Sequence, residues 1–201
     1  MNEHQLQLIG EVKKVVTEIF EKRVDPRFVF HNLEHTRQVA EAAEGIANFY
    51  RFNENEKFVL IVAAWFHDTG FSTGRIEGHE LESIKIAEIF LRSYDTASDV
   101  IAAVSSCILA TQMPQKPKNG IEKIICDADL FHLGTNHFNY RTELLRQELQ
   151  FYYKREITEQ EWRMQNMEFL KSHIYFTGYG QQMLEPVKQV WMTRLHRKAV
   201  A

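Results

Sequence analysis

Apolar positions recur at three- and four-residue steps along almost the whole chain, and no alternating apolar/polar run is long enough for a strand. Leu6, Ile9, Val12, Val16, Ile19 and Phe20 place an amphipathic helix over residues 4–23. Asp25-Pro26 stops it, because the residue before a proline is disfavoured in helical geometry. Asn32 can cap a second helix with Val39, Ala42, Ala43, Ile46 and Phe49/Tyr50 on its apolar face, ending near Asn53. A third begins around Asn53–Glu56 and is apolar from Phe58 to Phe66. Residues 69–78 carry three glycines and read as a loop lying over something. Helix four follows from about Glu80, and helix five from Thr96–Asp99. A second long loop, residues 113–120, separates these from a helix over 121–133 that Gly134 ends. Helix seven covers 138–154. Thr158 and Glu161 form a capping box for helix eight, 159–173, and after Gly178 and Gly180 a last helix runs to about 198.

This pattern predicts an all-α fold of eight or nine helices, with no repeat and no compositional break that would divide the 201 residues. The expectation is one compact domain over 1–201. A net charge of −3 argues against a nucleic-acid polymer as partner, which would call for a basic face. Cys107 and Cys126 both lie in apolar surroundings and read as reduced core residues. The N-terminus lacks the basic and apolar regions of a signal peptide, and no window has the ~18 apolar residues of a membrane span. A soluble cytoplasmic protein without membrane partners is the expectation. The aromatic surface of helices seven to nine permits a homodimer without requiring one.

Candidate chemistry enters where polar groups occupy helical positions that a core would fill with apolar ones. His67 and Asp68 stand side by side at the end of the buried helix Phe58–Phe66, where an unpaired imidazole and carboxylate are costly. His35, four residues before Val39, falls on the buried face of its helix. Asp129, four after Ile125 and four before Leu133, also points inward. Taken singly, each could be a satisfied core residue. Together, two imidazoles and two carboxylates on three helices suit a divalent metal: Mn, Fe, Zn, Co or Ni, with Mg the poorer match for two imidazoles. Asp127, two residues before Asp129, points about 200° away from it and reads as a group that orients a neighbour or a stretch of backbone. His132, three residues after Asp129, is expected to be turned aside.

These residues resemble the H…HD…D signature of the HD-domain superfamily, metal-dependent phosphohydrolases on an all-α fold. Phe30-His31-Asn32-Leu33-Glu34-His35-Thr36-Arg37-Gln38-Val39 is similar to the (Y/F)HNxxHxxxV segment of small bacterial members. Trp65–Gly70, His79-Glu80 and Ile125–Leu130 match in the same order, so that the resemblance covers roughly 28–175, with the first and last helices packed on that core. It implies His35, His67, Asp68 and Asp129 as ligands of one metal ion, and His31 as general acid beside a catalytic Asp68. His79 stands where dinuclear members place a further ligand. The partner His those members need on the next helix is missing from Ile108–Gln112, which argues for one metal and gives His79 to the substrate. Arg75 and His173 are further candidates for substrate contact, and Lys116 and Lys118 weaker ones.

The implied activity is hydrolysis of a phosphomonoester or phosphodiester, in a nucleotide or another small phosphorylated compound, with water activated by the metal as nucleophile. Three alternatives stand beside it: a dinuclear-iron oxygenase, a (p)ppGpp hydrolase, and a non-catalytic, metal-stabilised binding or sensor module.

Overall fold

A computed structural model describes residues 1–200 and carries nine α-helices and no strand among them. They are α1 (Glu3–Lys22), α2 (Leu33–Phe49), α3 (Glu54–Phe66), α4 (His79–Ser93), α5 (Ser98–Ala110), α6 (Gly120–Asp129), α7 (Phe138–Tyr153), α8 (Glu159–Ser172) and α9 (Glu185–Val200). The starts follow the local chemistry of the sequence. Reciprocal capping boxes close α1 (Asn2 with Gln5), α3 (Asn53 with Glu56) and α8 (Thr158 with Glu161). The Asn32 side chain accepts from the His35 N–H at the start of α2.

Helix α3 is the axis of the fold. Every residue from Phe58 to Phe66 is buried, all the way round, as expected of a helix with neighbours on all sides. Helices α1, α2, α4, α5 and α6 pack on it, and their apolar faces form one continuous core with it. A second, smaller core gathers Leu133, Phe138, Leu170 and Trp191 from the C-terminal half. No helix among the described residues is long and apolar enough to cross a membrane.

Two segments differ from the expectation, and both lie beside the polar cluster. The glycine-rich stretch is partly ordered, as a 3-10 turn over Thr69–Thr73 whose Phe71 is fully buried. Gly70 presses on the start of α4: a Cβ there would lie 2.0 Å from the His79 carbonyl oxygen. The predicted helix 121–133 ends at Asp129, and the chain tightens into a second 3-10 turn, Phe131–Gly134. Gly134 permits that by lying against Leu184, whose Cβ would be 2.5 Å from an added methyl.

The C-terminal half contains a buried basic pair. The Lys188 ammonium, 2% exposed, donates to the His173 carbonyl at 2.7 Å and lies 3.4 Å from its Nδ1. Burial, and then the Lys188 charge, pushes the His173 pKa down from 6.5 to about 4. Between those values the unfolded chain binds a proton that the folded chain refuses. Stability contributed by neutral His173 is therefore complete above pH 6.5 and declines as pH falls toward 4. The decline is worth about 3 kcal/mol at most, since one pKa unit corresponds to roughly 1.4 kcal/mol. His173→Gln should flatten this part of the stability–pH curve in urea titrations; an unchanged slope would show that the proton uptake lies elsewhere.

Candidate metal centre

Three segments deliver the polar cluster. His35 comes from the first turn of α2, held by the Asn32 cap. His67 and Asp68 follow the last turn of α3, and Asp129 is the last residue of α6. His67 Nδ1 donates to the Ala64 carbonyl at 2.8 Å, which aims Nε2 at the cluster. His35 Nε2 lies 3.1 Å from Asp129 Oδ1 and 3.5 Å from Asp68 Oδ2. His67 Nε2 lies 3.1 Å from Asp68 Oδ2 and 3.6 Å from Asp129 Oδ1. Yet His67 Nε2 and Asp68 Oδ2 are buried without completing a hydrogen bond. Of the six buried side-chain atoms without a hydrogen bond among the described residues, these two alone face one another inside the cluster, and they call for a third party.

A metal ion fits that role. Ligands about 2.1 Å from a common ion lie roughly 3.0 Å apart at octahedral angles and roughly 3.4 Å apart at tetrahedral ones. Two of the four separations, both 3.1 Å, fall in this range, and the other two, 3.5 and 3.6 Å, lie just above it. His35, His67 and Asp129 each offer a ligand atom within 4.8 Å of the other two, and among the described residues they form the one such group.

The electrostatics of the cluster suit a cation. Burial opposes charge on Asp68 and Asp129, but the imidazoles beside them outweigh it and hold both carboxyls well below the usual range. Burial wins at His35, which is held neutral. At His67 burial is outweighed by Asp68 and Asp129, and the imidazole keeps a proton well above 6.5. The two rings lie 5.4 Å apart, and only one carries charge. To serve as a ligand, His67 Nε2 has to release its proton, so cation uptake and proton release are linked.

The cluster opens on one side. The side chains of His35, His67 and Asp68 are at most 3% exposed, whereas those of His31, His79 and Asp129 keep 15–19%. His79 Nδ1 donates to the Ile76 carbonyl at 2.7 Å, leaving Nε2 3.3 Å from Asp68 Oδ1. His31 and His79 both contact one buried ring: Phe71 stacks on His31 and lies tilted against His79, each with centroids 4.3 Å apart.

A residue that sequence reasoning passed over sits behind His31. Glu148 of α7, fully buried, pairs with His31 Nδ1 and also accepts from the backbone N–H groups of Phe30 (2.9 Å) and His31 (3.0 Å). Arg141, seven residues earlier on α7, donates to the Phe30 carbonyl at 3.1 Å and lies over the Phe30 ring. A signal for both was present: Phe138, Arg141, Thr142 and Glu148 share the buried stripe of α7, so an arginine and a glutamate stand where apolar residues would pack.

His132 corrects an expectation. It is not turned aside: it lines a groove with His35 and Asp129 and meets the Phe30 ring at 5.4 Å. Within a 3-10 turn side chains three apart eclipse, and the tightening after Asp129 brings His132 round to the Asp129 side. Asp127 faces away from the cluster and ties down the C-terminal segment, accepting from the Phe176 and Thr177 N–H groups and the Thr177 hydroxyl at 2.6–2.9 Å. Of the other candidates, Arg75 is exposed outside the groove, and Lys116 and Lys118 border a separate depression beside Met113 and Pro114. His173 is enclosed by Lys188, Phe169 and Tyr175.

This arrangement has counterparts. The family model of the HD domain matches residues 32–134, just over half of the chain. The chain belongs to the HD domain family. The matched stretch contains His35, His67, Asp68, His79 and Asp129, while His31 precedes it and Arg141 and Glu148 follow it. Among solved structures the HD fold recurs over nearly the full length. A predicted HD superfamily hydrolase from an uncultured Thermotogales bacterium is 21% identical, with 94% of this chain and 90% of that one covered and a TM-score of 0.62. A protein from Listeria innocua is 16% identical, with coverage of 100% and 99% and a TM-score of 0.63. One from Lactobacillus plantarum is 13% identical, with coverage of 99% and 98% and a TM-score of 0.64. No curated protein matches the sequence.

Proposed function

We propose that this HD-domain protein is a hydrolase of small phosphate esters that works with one divalent cation held by His35, His67, Asp68 and Asp129. The observation that carries the reading is the pair of facing, unpartnered buried atoms, His67 Nε2 and Asp68 Oδ2, inside a ring of ionised carboxylates that opens toward His31. The similarity to a fold described for a predicted HD superfamily hydrolase points the same way. A divalent cation bound there supplies the Lewis acidity that makes water nucleophilic near neutral pH and offsets charge on a phosphoryl group.

The chain's own residues do the rest. Glu148 engages His31 Nδ1 and fixes the ring, leaving Nε2 as the atom that can carry a proton to a departing oxygen. Phe71 closes the opposite side of that ring against water. Asp68 engages both sides of the site: Oδ2 faces His67, and Oδ1 faces His79, which can donate to a phosphoryl oxygen at the exposed face. Support for a single cation comes from α5, whose C-terminal turn brings Thr111 and no imidazole.

The test is metal analysis of protein purified without chelator, followed by mono- and bis-p-nitrophenyl phosphate and nucleotides with Mn, Mg, Co, Ni and Fe. Turnover that EDTA abolishes and added metal restores is expected. A folded, metal-loaded protein inert toward every ester would overturn the reading in favour of a binding module, and two irons with oxygen uptake would favour an oxygenase.

A further inference from the structure

The glycine-rich stretch is anchored at a point outside the metal cluster. Arg75, Ile76 and Glu77 lie between Gly74 and Gly78, whose φ values of +74° and +78° fall in the left-handed region that favours glycine. Neither glycine is packed: an added Cβ would meet nothing within 4 Å. No side chain caps the start of α4 at Gly78. What holds the segment is the side chains between the glycines. Ile76 packs against the main core. The Glu77 carboxylate, at the surface, accepts from two phenols at once: Tyr152 at 2.8 Å on Oε2 and Tyr153 at 3.1 Å on Oε1. The two phenol rings stand at 87° with centroids 5.0 Å apart. Tyr152 in turn is seated 6.3 Å from Phe28, which meets Phe71 at 5.1 Å. The Tyr152 hydroxyl first, with the Glu77 backbone and the Tyr153 hydroxyl behind it, holds the Glu77 carboxyl below its usual range.

Most surface polar contacts count for little. This one is set apart by where its backbone leads. The Ile76 carbonyl, one residue before Glu77, accepts from His79 Nδ1 at 2.7 Å and so aims Nε2 at Asp68. At its other end the contact reaches the last two residues of α7, the helix whose Glu148 pairs with His31. Two unpacked glycines give the segment conformational freedom, and a side chain gripped at two points on a framed helix removes it. We propose that Glu77 is a positioning residue for His79: clasped by Tyr152 and Tyr153, it fixes the Ile76 carbonyl and, through it, the His79 ring. Gly70 sets the backbone of His79 where α4 begins, and the clasp sets its imidazole. One helix, α7, thereby steadies both histidines at the open side of the site. What His79 does to substrate rests on the phosphoester reading above; the clasp itself does not.

The experiment compares the wild type with Glu77→Ala, Glu77→Gln, His79→Ala and the pair Tyr152→Phe with Tyr153→Phe. Amide hydrogen exchange across residues 74–82 is expected to quicken about tenfold in Glu77→Ala. In metal-loaded protein kcat/KM for p-nitrophenyl phosphate should fall about tenfold in the same variant, because misplacing a substrate-contacting group is costly. Glu77→Gln can accept from one phenol and donate to the other, and should stay within about threefold of the wild type. The tyrosine pair should reproduce the loss of Glu77→Ala, and Glu77→Ala added to His79→Ala should cost nothing further. Unmoved exchange in Glu77→Ala would overturn the proposal while leaving the hydrolase reading intact. So would turnover that falls in His79→Ala but not in Glu77→Ala, or losses that add. If no ester turns over, the hydrolase reading fails by itself; then, or if His79→Ala costs nothing, the His79 ring resonances of the metal-free protein decide. Shifted or broadened in Glu77→Ala and restored in Glu77→Gln, they keep the clasp; identical in all three proteins, they sink it.

Discussion

His67→Ala should leave the protein folded, strip its metal and remove turnover. Partners that only orient a metal ligand typically cost 10–100-fold in affinity or activity when removed, and loss of a ligand itself should exceed that. The fold should survive but weaken: the hydrogen bond to Ala64 is worth about 1–3 kcal/mol, and the variant also loses the charge that offsets Asp68 and Asp129. Metal-to-protein ratio by mass spectrometry, set beside the thermal transition of the metal-free form, separates the two effects. A variant that keeps stoichiometric metal and wild-type turnover would refute the ligand set. The electrostatics add a direction: because the metal-free His67 holds a proton that must leave, metal affinity should weaken as pH is lowered.

The second large effect is expected at Glu148, 113 residues after the first ligand in sequence and directly behind His31 in space. Glu148→Gln keeps the shape and an acceptor for part of the triad of donors, but removes the charge that steadies a protonated His31. Turnover should fall by roughly 10²-fold or more, the scale of a positioned general acid, with little change in KM. Because Glu148 acts through His31, the double variant with His31→Ala should be no slower than His31→Ala alone. Because a general acid acts in its protonated form, the alkaline limb of the pH–rate profile should change in Glu148→Gln and be lost in His31→Ala. Additive losses would assign Glu148 a purely structural role. Glu148→Ala is the harsher change: three donors lose their partner in a buried place, and a stability loss of about 3–5 kcal/mol is expected.

The helices and the side chains that gather into the polar cluster were legible in the sequence because both are written in short-range patterns. Caps such as Asn32 and Thr158 announce helix starts within three residues, and a His-Asp pair at the end of an all-apolar helix is conspicuous by cost alone. What was hidden depends on contacts between distant segments or on small departures from ideal geometry. Glu148 looked like one more glutamate on a polar helix until α7 packed on the Phe30–His31 turn. His132 was misplaced because residues three apart are neighbours even at a helical period, and the 3-10 turn after Asp129 brings it closer still. The rings of Phe49 and Tyr179 meet at 5.6 Å although the residues are 130 apart, and no periodicity links them.

Phe71 gives the site a common reference surface. The His31 and His79 imidazoles both lean on that single buried ring, itself seated by the close approach of Gly70 to the start of α4. Errors in placing the two histidines therefore do not accumulate independently: both are gauged from one ring, and a shift of that ring moves them together. A loop that reads as permissive in sequence, rich in glycine and small polar residues, is in this sense the jig on which the reactive side of the protein is assembled.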